Sequence, residues 1–293
     1  MDIAINTDFL GGTRSPEARL KAIAEAGFTH LHWCHQWNTD FFYSSSELKQ
    51  YAKWFQDFGL QLLDIHGSDG QEKRWYSTVE YEREAGVELV INRIIMMHEL
   101  GATGSLMMHI PAIRLQEGFD PATVLPRYDA LKRSLDELMP VLEKYSVRIA
   151  AENMPNDNFE LLNRLMSEYP ENYIGITYDS GHGNIGEGKG LDHMEPLKNR
   201  LQALHLHDND GSGDQHQPPF FGTVDWERMV KLIAESSYKG GRPLSFELGM
   251  RNTPFYEKEL ELNQKPENIR AFLADAHDRC ARVVRMFEQI RKS

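Results

Sequence analysis

Residues 201–209 read LQALHLHDN, an apolar run that becomes polar where it ends. A short apolar run bounded by polar residues is typical of a buried strand. This run ends in His205, His207 and Asp208, whose side chains are of the types that bind divalent metal ions. The stretch therefore predicts a strand that brings chemically active residues to one end of a sheet, and the sequence on both sides follows the same pattern.

Seven more apolar runs predict strands, and stretches with helical periodicity separate most of them. The predicted strands cover residues 3–5, 28–33, 60–65, 105–110, 147–151, 174–178, 201–206 and 244–248. The predicted helices cover residues 16–26, 44–59, 81–100, 121–145, 159–166, 225–236 and 267–290. Eight such units predict an α/β fold, a single (β/α)8 TIM barrel that forms one domain over residues 1–293. An open doubly wound sheet is the alternative, but no G-x-G-x-x-G motif follows the first strand.

The composition is that of a globular protein with a sizeable core, since 41% of the 293 residues are hydrophobic and 26% are charged. No apolar run reaches the roughly 20 residues of a membrane span, and the N-terminus lacks the features of a signal peptide. Cys34 and Cys280 lie far apart in sequence, so a reduced cytoplasmic protein is expected. A formal net charge of −12 argues against broad binding to nucleic acid, although bound divalent cations would offset part of it.

Metal-ligand residue types recur where the predicted strands end. Strands three to eight end in, or are closely followed by, His66, His109, Glu152, Asp179, His182, His205 and Glu247. Because the strand ends of a closed barrel converge on one mouth, these side chains are expected to lie close together. Imidazole and carboxylate groups suit Zn²⁺, Mn²⁺ or Fe²⁺. One histidine at a strand end is more often structural than a ligand, but a glutamate in an apolar run such as residues 244–248 is costly to bury unless it is paired or metal-bound.

Taken together, the strand ends resemble the xylose-isomerase-like barrel superfamily of sugar-phosphate isomerases and epimerases. The segments that carry this resemblance are 151–153, 178–182, 204–209 and 246–247. The resemblance implies that one divalent ion is held by Glu152, Asp179, His205 and Glu247. It also implies that Glu152 and Glu247 act as catalytic acid and base on either face of the substrate, and that His182 contacts the substrate.

Five further positions are similar to endonuclease IV, which holds three zinc ions. The ligands of its first ion correspond to His66, His109 and Glu152. Those of its third ion correspond to His182, Asp214 and His216. By this resemblance, all nine ligand types of the three-ion site have a counterpart in the chain.

The loop after strand three departs from endonuclease IV. In that enzyme the loop carries aromatic and apolar residues that push into the DNA, whereas residues 67–72 here are small and acidic. No basic patch with interleaved aromatic residues flanks the expected mouth. A nucleic-acid partner is therefore not expected.

Several residues near the expected mouth have two interpretations each. An apolar wall under a sugar ring and ordinary loop packing are equal interpretations for Trp33, Trp37, Phe220 and Phe221. Residues 183–190 are glycine-rich and either cradle a phosphate through backbone N–H groups or form a flexible lid. Arg251 either binds a substrate anion or forms a surface salt bridge.

The second strand is flanked by His32 and His35. His35 is expected to reach the mouth, whereas His32 is expected to be a packed structural histidine. The polar side chains of residues 207–210 are expected to hydrogen-bond substrate hydroxyls. Long insertions after strands three, seven and eight are expected to form active-site loops on the C-terminal face of the barrel.

The leading hypothesis is a metal-dependent isomerase or epimerase that acts on a sugar or sugar phosphate. The ion would act as a Lewis acid, and Glu152 and Glu247 would transfer a proton through a metal-stabilised enediolate. One to three ions per chain are expected, from among Zn, Mn, Fe, Co and Mg. The expected partners are a small sugar-like molecule and, as is common among relatives, further copies of the chain in a homo-oligomer; no membrane partner is expected.

Two other functions compete with this hypothesis. If all nine ligand positions bind metal, a metal-bound hydroxide would favour hydrolysis. The alternative is therefore an endonuclease-IV-like phosphodiesterase acting on abasic DNA or on a small phosphoester. A third possible function is that of a non-catalytic sugar-binding or regulatory barrel. Such a barrel would not require the metal-ligand residues, so their presence argues against it.

Overall fold

Eight short parallel strands form the centre of the molecule in a computed structural model that describes residues 1–116, 118–238 and 241–292. The strands are β1 Ile3–Asn6, β2 His30–Trp33, β3 Gln61–His66, β4 Leu106–Met108, β5 Ile149–Glu152, β6 Ile174–Asp179, β7 Leu201–His205 and β8 Leu244–Phe246. They are hydrogen-bonded in the order β7-β6-β5-β4-β3-β2-β1-β8. A parallel bridge between Leu206 and Phe246 joins the two outer strands of this order. The prediction of a (β/α)8 barrel is confirmed.

The helices surround this barrel. They are α1 Glu17–Glu25, α2 Ser45–Phe58, α3 Glu80–Glu99, α4 Leu125–Tyr145, α5 Glu160–Glu168, α6 Ser180–Asn184, α7 Gly190–Met194, α8 Trp226–Glu235 and α9 Pro266–Lys292. All seven predicted helices are present, with bounds that differ by a few residues. The connection from β6 to β7, where no helix was predicted, contains α6, α7 and a 3-10 helix over Glu195–Arg200.

Local sequence explains where α2 begins and ends. Ser44 accepts a hydrogen bond from the Glu47 N–H, and the Glu47 carboxylate accepts one in return from the Ser44 N–H, which forms a capping box. Gly59 ends the helix with a φ of 67°, a left-handed conformation that glycine adopts without steric cost. These signals explain why the predicted ends of this helix agree with the structure.

Alternation along the strands separates the hydrophobic layer from the barrel interior. In β2, Leu31 and Trp33 face the helices, and the Trp33 ring lies 4.8 Å from the Tyr51 ring and 5.8 Å from the Phe55 ring of α2. Side chains of a strand point alternately to opposite faces, so His32 points into the barrel. The C-terminal end of the interior is thus polar while the layer around it is apolar.

The long connections after strands three, seven and eight, residues 67–79, 206–225 and 247–265, lie at the C-terminal ends of the strands, as predicted. They bring further side chains to the mouth. Across the described ranges, no helix is both long and apolar enough to cross a membrane.

Candidate metal centre

Four buried side chains from adjacent strands meet at the mouth of the barrel. Glu152 ends β5, Asp179 ends β6, His205 ends β7 and Glu247 follows β8. Each offers a ligand atom, and these atoms all lie within 4.8 Å of one another. His205 Nδ1 lies 2.6 Å from Glu152 Oε1, 3.0 Å from Glu247 Oε2 and 3.9 Å from Asp179 Oδ2. The structure thus brings together the four residues predicted to hold one ion.

The donor atoms of this group suit a divalent metal ion. Ligands around a tetrahedral ion with bonds of about 2.0–2.1 Å lie about 3.3 Å from one another, close to the spacings measured here. Glu152 Oε2 lies 3.0 Å from His109 Nε2 but without hydrogen-bond geometry. His205 Nε2 is buried and also has no hydrogen-bond partner among the described residues. Buried polar atoms are normally satisfied, so both atoms fit a centre that is completed by another group.

A second group lies beside the first. His66 at the end of β3 and His109 after β4 join Glu152 in a set whose ligand atoms lie within 4.8 Å of one another. The Trp37 ring packs on both histidines, at ring-centre distances of 4.2 Å to His66 and 5.3 Å to His109. Glu152 therefore belongs to two groups and is placed to bridge them.

The third group is centred on Asp214. Its Oδ2 lies 3.1 Å from His216 Nε2 and 3.3 Å from His182 Nε2, so the structure brings together the three residues predicted for this group. His207 also belongs here, because its ring stacks on the His216 ring at 4.3 Å and it forms a 4.8 Å ligand set with Asp214 and His216. His216 has a φ of 49°, a left-handed conformation that is uncommon outside glycine.

The electrostatics of the mouth favour ionised carboxylates. Burial raises the pKa of Glu152, but the neighbouring imidazoles of His205 and His109 outweigh it and hold the pKa well below its ordinary value. Burial likewise opposes ionisation of Glu247, and His205 more than compensates, so that this pKa is also lowered. For His66, burial and the neighbouring His109 lower the pKa well below its usual range, which leaves a neutral imidazole. For His205, burial lowers the pKa, but Glu247 and Glu152 outweigh it and hold the pKa well above its usual range. Because ionised carboxylates and neutral imidazoles are the forms that bind metal ions, an ion in the four-residue group would displace a proton from His205.

An open cleft of about 270 Å³ leads to these groups. Among the residues that line it are Asp8, Trp37, Asp214, His216, Glu247 and Arg251. Trp37, for which an apolar wall under a sugar ring and ordinary loop packing were equal interpretations, therefore lies at the mouth. Arg251 lies there too and forms no salt bridge with any described residue, so the surface salt bridge expected as its alternative is absent.

Three of the four proposed wall residues lie elsewhere, which corrects that interpretation. Trp33 packs outward against α2, as the alternation along β2 requires. Phe220 lies under the Arg282 guanidinium at 4.0 Å, and Phe221 lies under that of Arg279 at 4.2 Å, so both pack against α9. Loop packing is therefore the correct interpretation for Phe220 and Phe221, whereas Trp33 belongs to the layer between β2 and α2.

The polar run after His207 is also mostly engaged within the protein. Asp208 is buried and accepts hydrogen bonds from Phe220 N, Val224 N and Trp226 Nε1. Asn209 donates to the Gly181 carbonyl at 2.8 Å. The expectation that Asp208 and Asn209 bind substrate hydroxyls is therefore wrong, because the groups before α8 occupy Asp208 and the α6 backbone occupies Asn209.

The glycine-rich stretch 183–190 does not form an open cradle of N–H groups. Gly186 N donates to Gly211 O and Gly188 N donates to Ile185 O. Glycine at position 183 is required by packing, since a Cβ there would lie 2.3 Å from the Tyr178 hydroxyl. Close packing of α6 and α7 explains this composition better than phosphate binding.

Two expectations about histidines near β2 are corrected. His35 is held by the Arg14 carbonyl at 3.1 Å from its Nε2 and by the Tyr43 hydroxyl at 3.3 Å from its Nδ1, away from the ligand groups. His32 is buried as expected, but it belongs to a 4.8 Å ligand set with His205 and Glu247. The sequence did indicate that His32 points into the barrel, because the alternation His30-Leu31-His32 places His32 on the inner face of the strand.

Asp8 is a further mouth residue that was not predicted as a site residue, and His207, expected to contact substrate hydroxyls, lies in the ligand set with Asp214 and His216. Asp8 Oδ1 accepts a hydrogen bond from Asn6 Nδ2 at 2.8 Å, and its Oδ2 accepts one from Trp37 Nε1 at 3.2 Å. Burial and the nearby Glu247 raise the pKa of Asp8. Asp8 follows β1 by two residues, and this position just after a strand could have predicted that its carboxyl group lies at the mouth.

The fold and the site define a closed parallel barrel with a carboxylate and imidazole centre at the C-terminal ends of its strands. Residues 20–272 match the sequence profile of the xylose isomerase-like TIM barrel family, and the chain belongs to that family. The uncharacterized protein y4fM of Sinorhizobium fredii is 30% identical over 290 residues, which cover 89% of this chain and 91% of that protein. The uncharacterized protein MJ1311 of Methanocaldococcus jannaschii is 29% identical over 116 residues, which cover 36% and 39%.

Solved structures of similar fold include sugar epimerases. A D-tagatose 3-epimerase-like protein superposes with a TM-score of 0.71 at 19% identity, with 99% of each chain covered. An L-ribulose 3-epimerase gives a TM-score of 0.71 at 14% identity over 100% of this chain and 96% of the other. The 3-keto-D-glucoside 4-epimerase from E. coli gives 0.67 at 16% identity, covering 94% and 98%. At these identities the likeness establishes the fold.

Proposed function

We propose that the protein is a divalent-metal-dependent isomerase or epimerase of a sugar or sugar phosphate. The observation that carries this proposal is the placement of Glu152 and Glu247, whose carboxylates approach His205 Nδ1 to 2.6 Å and 3.0 Å from two different strands. Two ionised carboxylates beside one centre provide one group that can remove a proton and another that can return it.

Within this proposal each side chain has a defined task. A divalent ion bound by Glu152, Asp179, His205 and Glu247 would supply Lewis acidity toward a substrate carbonyl or hydroxyl oxygen. Glu152 and Glu247 then remove and return the proton on the neighbouring carbon, one from each face. His182 is held through its Nδ1 by the Asn153 carbonyl at 2.9 Å, and its Nε2 lies 3.3 Å from Asp214 Oδ2, so a substrate oxygen at the mouth would compete with Asp214 for a proton on this nitrogen.

The substrate class is inferred from the cleft and from the structural relatives. A cleft of about 270 Å³ accommodates a monosaccharide, and Trp37 supplies an apolar surface beside the metal centre. Structures of similar fold include a D-tagatose 3-epimerase-like protein, an L-ribulose 3-epimerase and a D-psicose 3-epimerase. Arg251 at the rim is placed to pair with the phosphate of a phosphorylated substrate.

The test begins with metal content, measured by elemental analysis on protein purified without a metal-affinity tag. The loaded protein is then incubated in D₂O with a panel of ketopentoses, ketohexoses and their phosphates, and the products are followed by NMR. We expect deuterium at the carbon whose configuration changes, and loss of this exchange in Glu247→Gln. The exposed Glu259→Gln, on the same loop, is the matched control. Loaded protein that turns over no member of the panel would contradict the proposal.

A second function, hydrolysis of a phosphoester, is favoured by the two further ligand groups. His66, His109 and Glu152 form one of them, and His207, Asp214 and His216 form the other. Two or three ions per chain, one of which is lost in His216→Ala, would support it. Nicking of abasic-site DNA, or release of phosphate from small phosphoesters, is the assay that would then decide in its favour.

We also propose that residues 1–293 form one domain, that the protein acts in the cytoplasm, and that the chain forms a homo-oligomer, whose size would be measured by size-exclusion chromatography with light scattering.

A further inference from the structure

His32 has an imidazole nitrogen that nothing in the described structure satisfies. The residue lies in β2 and is fully buried. Its Nδ1 lies 2.7 Å from Asp64 Oδ1, across the β2–β3 pairing in which these two residues are in register. Its Nε2 is buried and has no hydrogen-bond partner among the described residues.

The contact with Asp64 determines what the free nitrogen offers. A carboxylate accepts, so Nδ1 carries the proton that it donates to Asp64. In the neutral ring, Nε2 is then a bare lone pair, and in the imidazolium it is a buried N–H without an acceptor. Either state costs free energy in a dry interior unless a further group meets Nε2.

The surroundings of His32 indicate what that group is. The His32 and His205 ring centres lie 4.4 Å apart, and His32, His205 and Glu247 each offer a ligand atom within 4.8 Å of the other two. A histidine that is hydrogen-bonded to a carboxylate through one nitrogen and exposes a lone pair on the other is the usual arrangement of a metal-ligating histidine.

We propose that His32, oriented by Asp64, is a further ligand of a divalent ion held together with His205 and Glu247. This ligand comes from β2, outside the strands that supply the four residues discussed above. The inference rests on the metal dependence in the proposed function and adds a second imidazole nitrogen to the centre. Two imidazoles favour Zn²⁺, Co²⁺, Fe²⁺ or Ni²⁺ over Mg²⁺, which prefers oxygen ligands.

The chain provides a matched control on the same strand. His30 precedes His32 by two residues, is also buried and lies in none of the ligand sets of the described residues. Its Nδ1 is 2.9 Å from the Thr29 hydroxyl. His30→Ala therefore removes an inward-facing imidazole from β2 without removing a ligand.

The experiment measures metal binding directly. The dissociation constants of Zn²⁺ and Mg²⁺ are determined by competition with a chromophoric chelator for the wild type, His32→Ala, His32→Gln, Asp64→Asn and His30→Ala. We expect Zn²⁺ affinity to fall about 100-fold or more in both His32 variants, and about 10-fold in Asp64→Asn, which removes the orienting carboxylate. His30→Ala keeps the wild-type value, and Mg²⁺ binding changes little in all variants.

X-ray absorption spectra of the Zn²⁺-loaded proteins then count histidine ligands. We expect one fewer imidazole bound to Zn²⁺ in His32→Gln than in the wild type. An unchanged imidazole count, or an unchanged Zn²⁺ affinity in both His32 variants, would overturn it while leaving the proposed function intact. A wild-type protein that binds no divalent ion would overturn both. Circular dichroism of the metal-free proteins verifies folding, and His32→Gln carries the comparison if His32→Ala does not fold.

Discussion

Asp208 and Trp226 are joined by a buried hydrogen bond, with Trp226 Nε1 donating to Asp208 Oδ2 at 2.9 Å. The same carboxylate accepts from Phe220 N at 2.9 Å and from Val224 N at 3.0 Å. It thereby holds the last part of the loop between β7 and α8, from Phe220 to Trp226. Asp214 and His216 precede this part of the same loop, so a buried carboxylate supports the third group without being one of its ligands.

Replacing Asp208 by Asn should therefore destabilise the protein. The side-chain NH₂ group of the substituted asparagine would face N–H groups of Phe220, Val224 or Trp226, which are donors themselves. At least one of these buried N–H groups would then lose its acceptor. We expect the free energy of unfolding to fall by about 2–4 kcal/mol, as measured by urea denaturation. Asp210→Asn, at an exposed position of the same loop, serves as the control and should change it by less than about 0.5 kcal/mol. Equal effects of the two substitutions would show that Asp208 does not fix the loop.

Gly181 in α6 allows His207 to approach. A Cβ at this position would lie 1.9 Å from His207 Cε1, so Gly181→Ala must displace the imidazole or the helix. We expect a loss of about 1–3 kcal/mol in the free energy of unfolding, and loss of any ion bound by the group around Asp214. Gly213→Ala, in open space on the same side of the barrel, is the matched substitution. A metal content that stays the same in Gly181→Ala would argue that His207 and its neighbours bind no ion.

Removal of the ion should lower the stability of the barrel. A ligand that binds only the folded state adds about 2.7 kcal/mol when its free concentration is 100 times its dissociation constant. The melting temperature of the wild type should therefore fall on treatment with a chelator and recover when Zn²⁺ or Mn²⁺ is restored. Glu247→Gln should show a much smaller response, whereas Glu259→Gln should respond like the wild type. A melting temperature that is indifferent to chelator and metal would contradict a tightly bound ion.

The buried carboxyl of Asp157 should make stability depend on pH. It accepts a hydrogen bond from Phe159 N at 2.9 Å, and burial raises its pKa to about 6 although this hydrogen bond acts in the opposite direction. The folded state then holds the proton to higher pH than the unfolded state, so this contribution to stability is full below about pH 4 and is lost as pH rises to about 6.

Asp157→Asn removes the ionisation but keeps a side-chain oxygen for the Phe159 N–H. Its free energy of unfolding should rise relative to the wild type by up to about 3 kcal/mol between pH 4 and pH 7, measured by urea denaturation across that range. Asp120 caps a turn in the same way, accepting from Ala122 N at 2.9 Å, but is exposed. Asp120→Asn should show no such trend, and a difference for Asp157→Asn that is constant with pH would refute this account.

The barrel and its principal ligands were predictable because both depend on local patterns. Each strand is a short apolar run, and a ligand type follows the run where the strand ends. Once eight parallel strands close into a barrel, geometry alone brings Glu152 and His205 together, although 53 positions separate them. Asp214 and His216 were found through resemblance, since a polar loop carries no periodic signal.

The errors arose where a side chain's direction depends on its partners. Trp33 could have been assigned correctly, since it alternates with His32 along β2 and must face the helices if His32 faces inward. The positions of Phe220 and Phe221 depend on Arg282 and Arg279, which are distant in sequence. The hydrogen bond between His32 and Asp64 depends on the register of β2 and β3, which the pattern of a single strand does not specify. The short helices α6 and α7 were missed because their glycine-rich sequence has no apolar periodicity.

The edge where β7 meets β8 is held by few backbone contacts. The Leu206–Phe246 bridge is accompanied by hydrogen bonds from Leu206 N to Ser245 O at 3.0 Å and from Glu247 N to Leu206 O at 3.2 Å. His205 and Glu247 stand on either side of this edge. An ion bound by both residues would cross-link β7 to β8, so that metal binding would stabilise the closure of the barrel. Backbone amide protons of β7 and β8 would then exchange quickly with solvent in the metal-free protein and slowly in the metal-loaded protein.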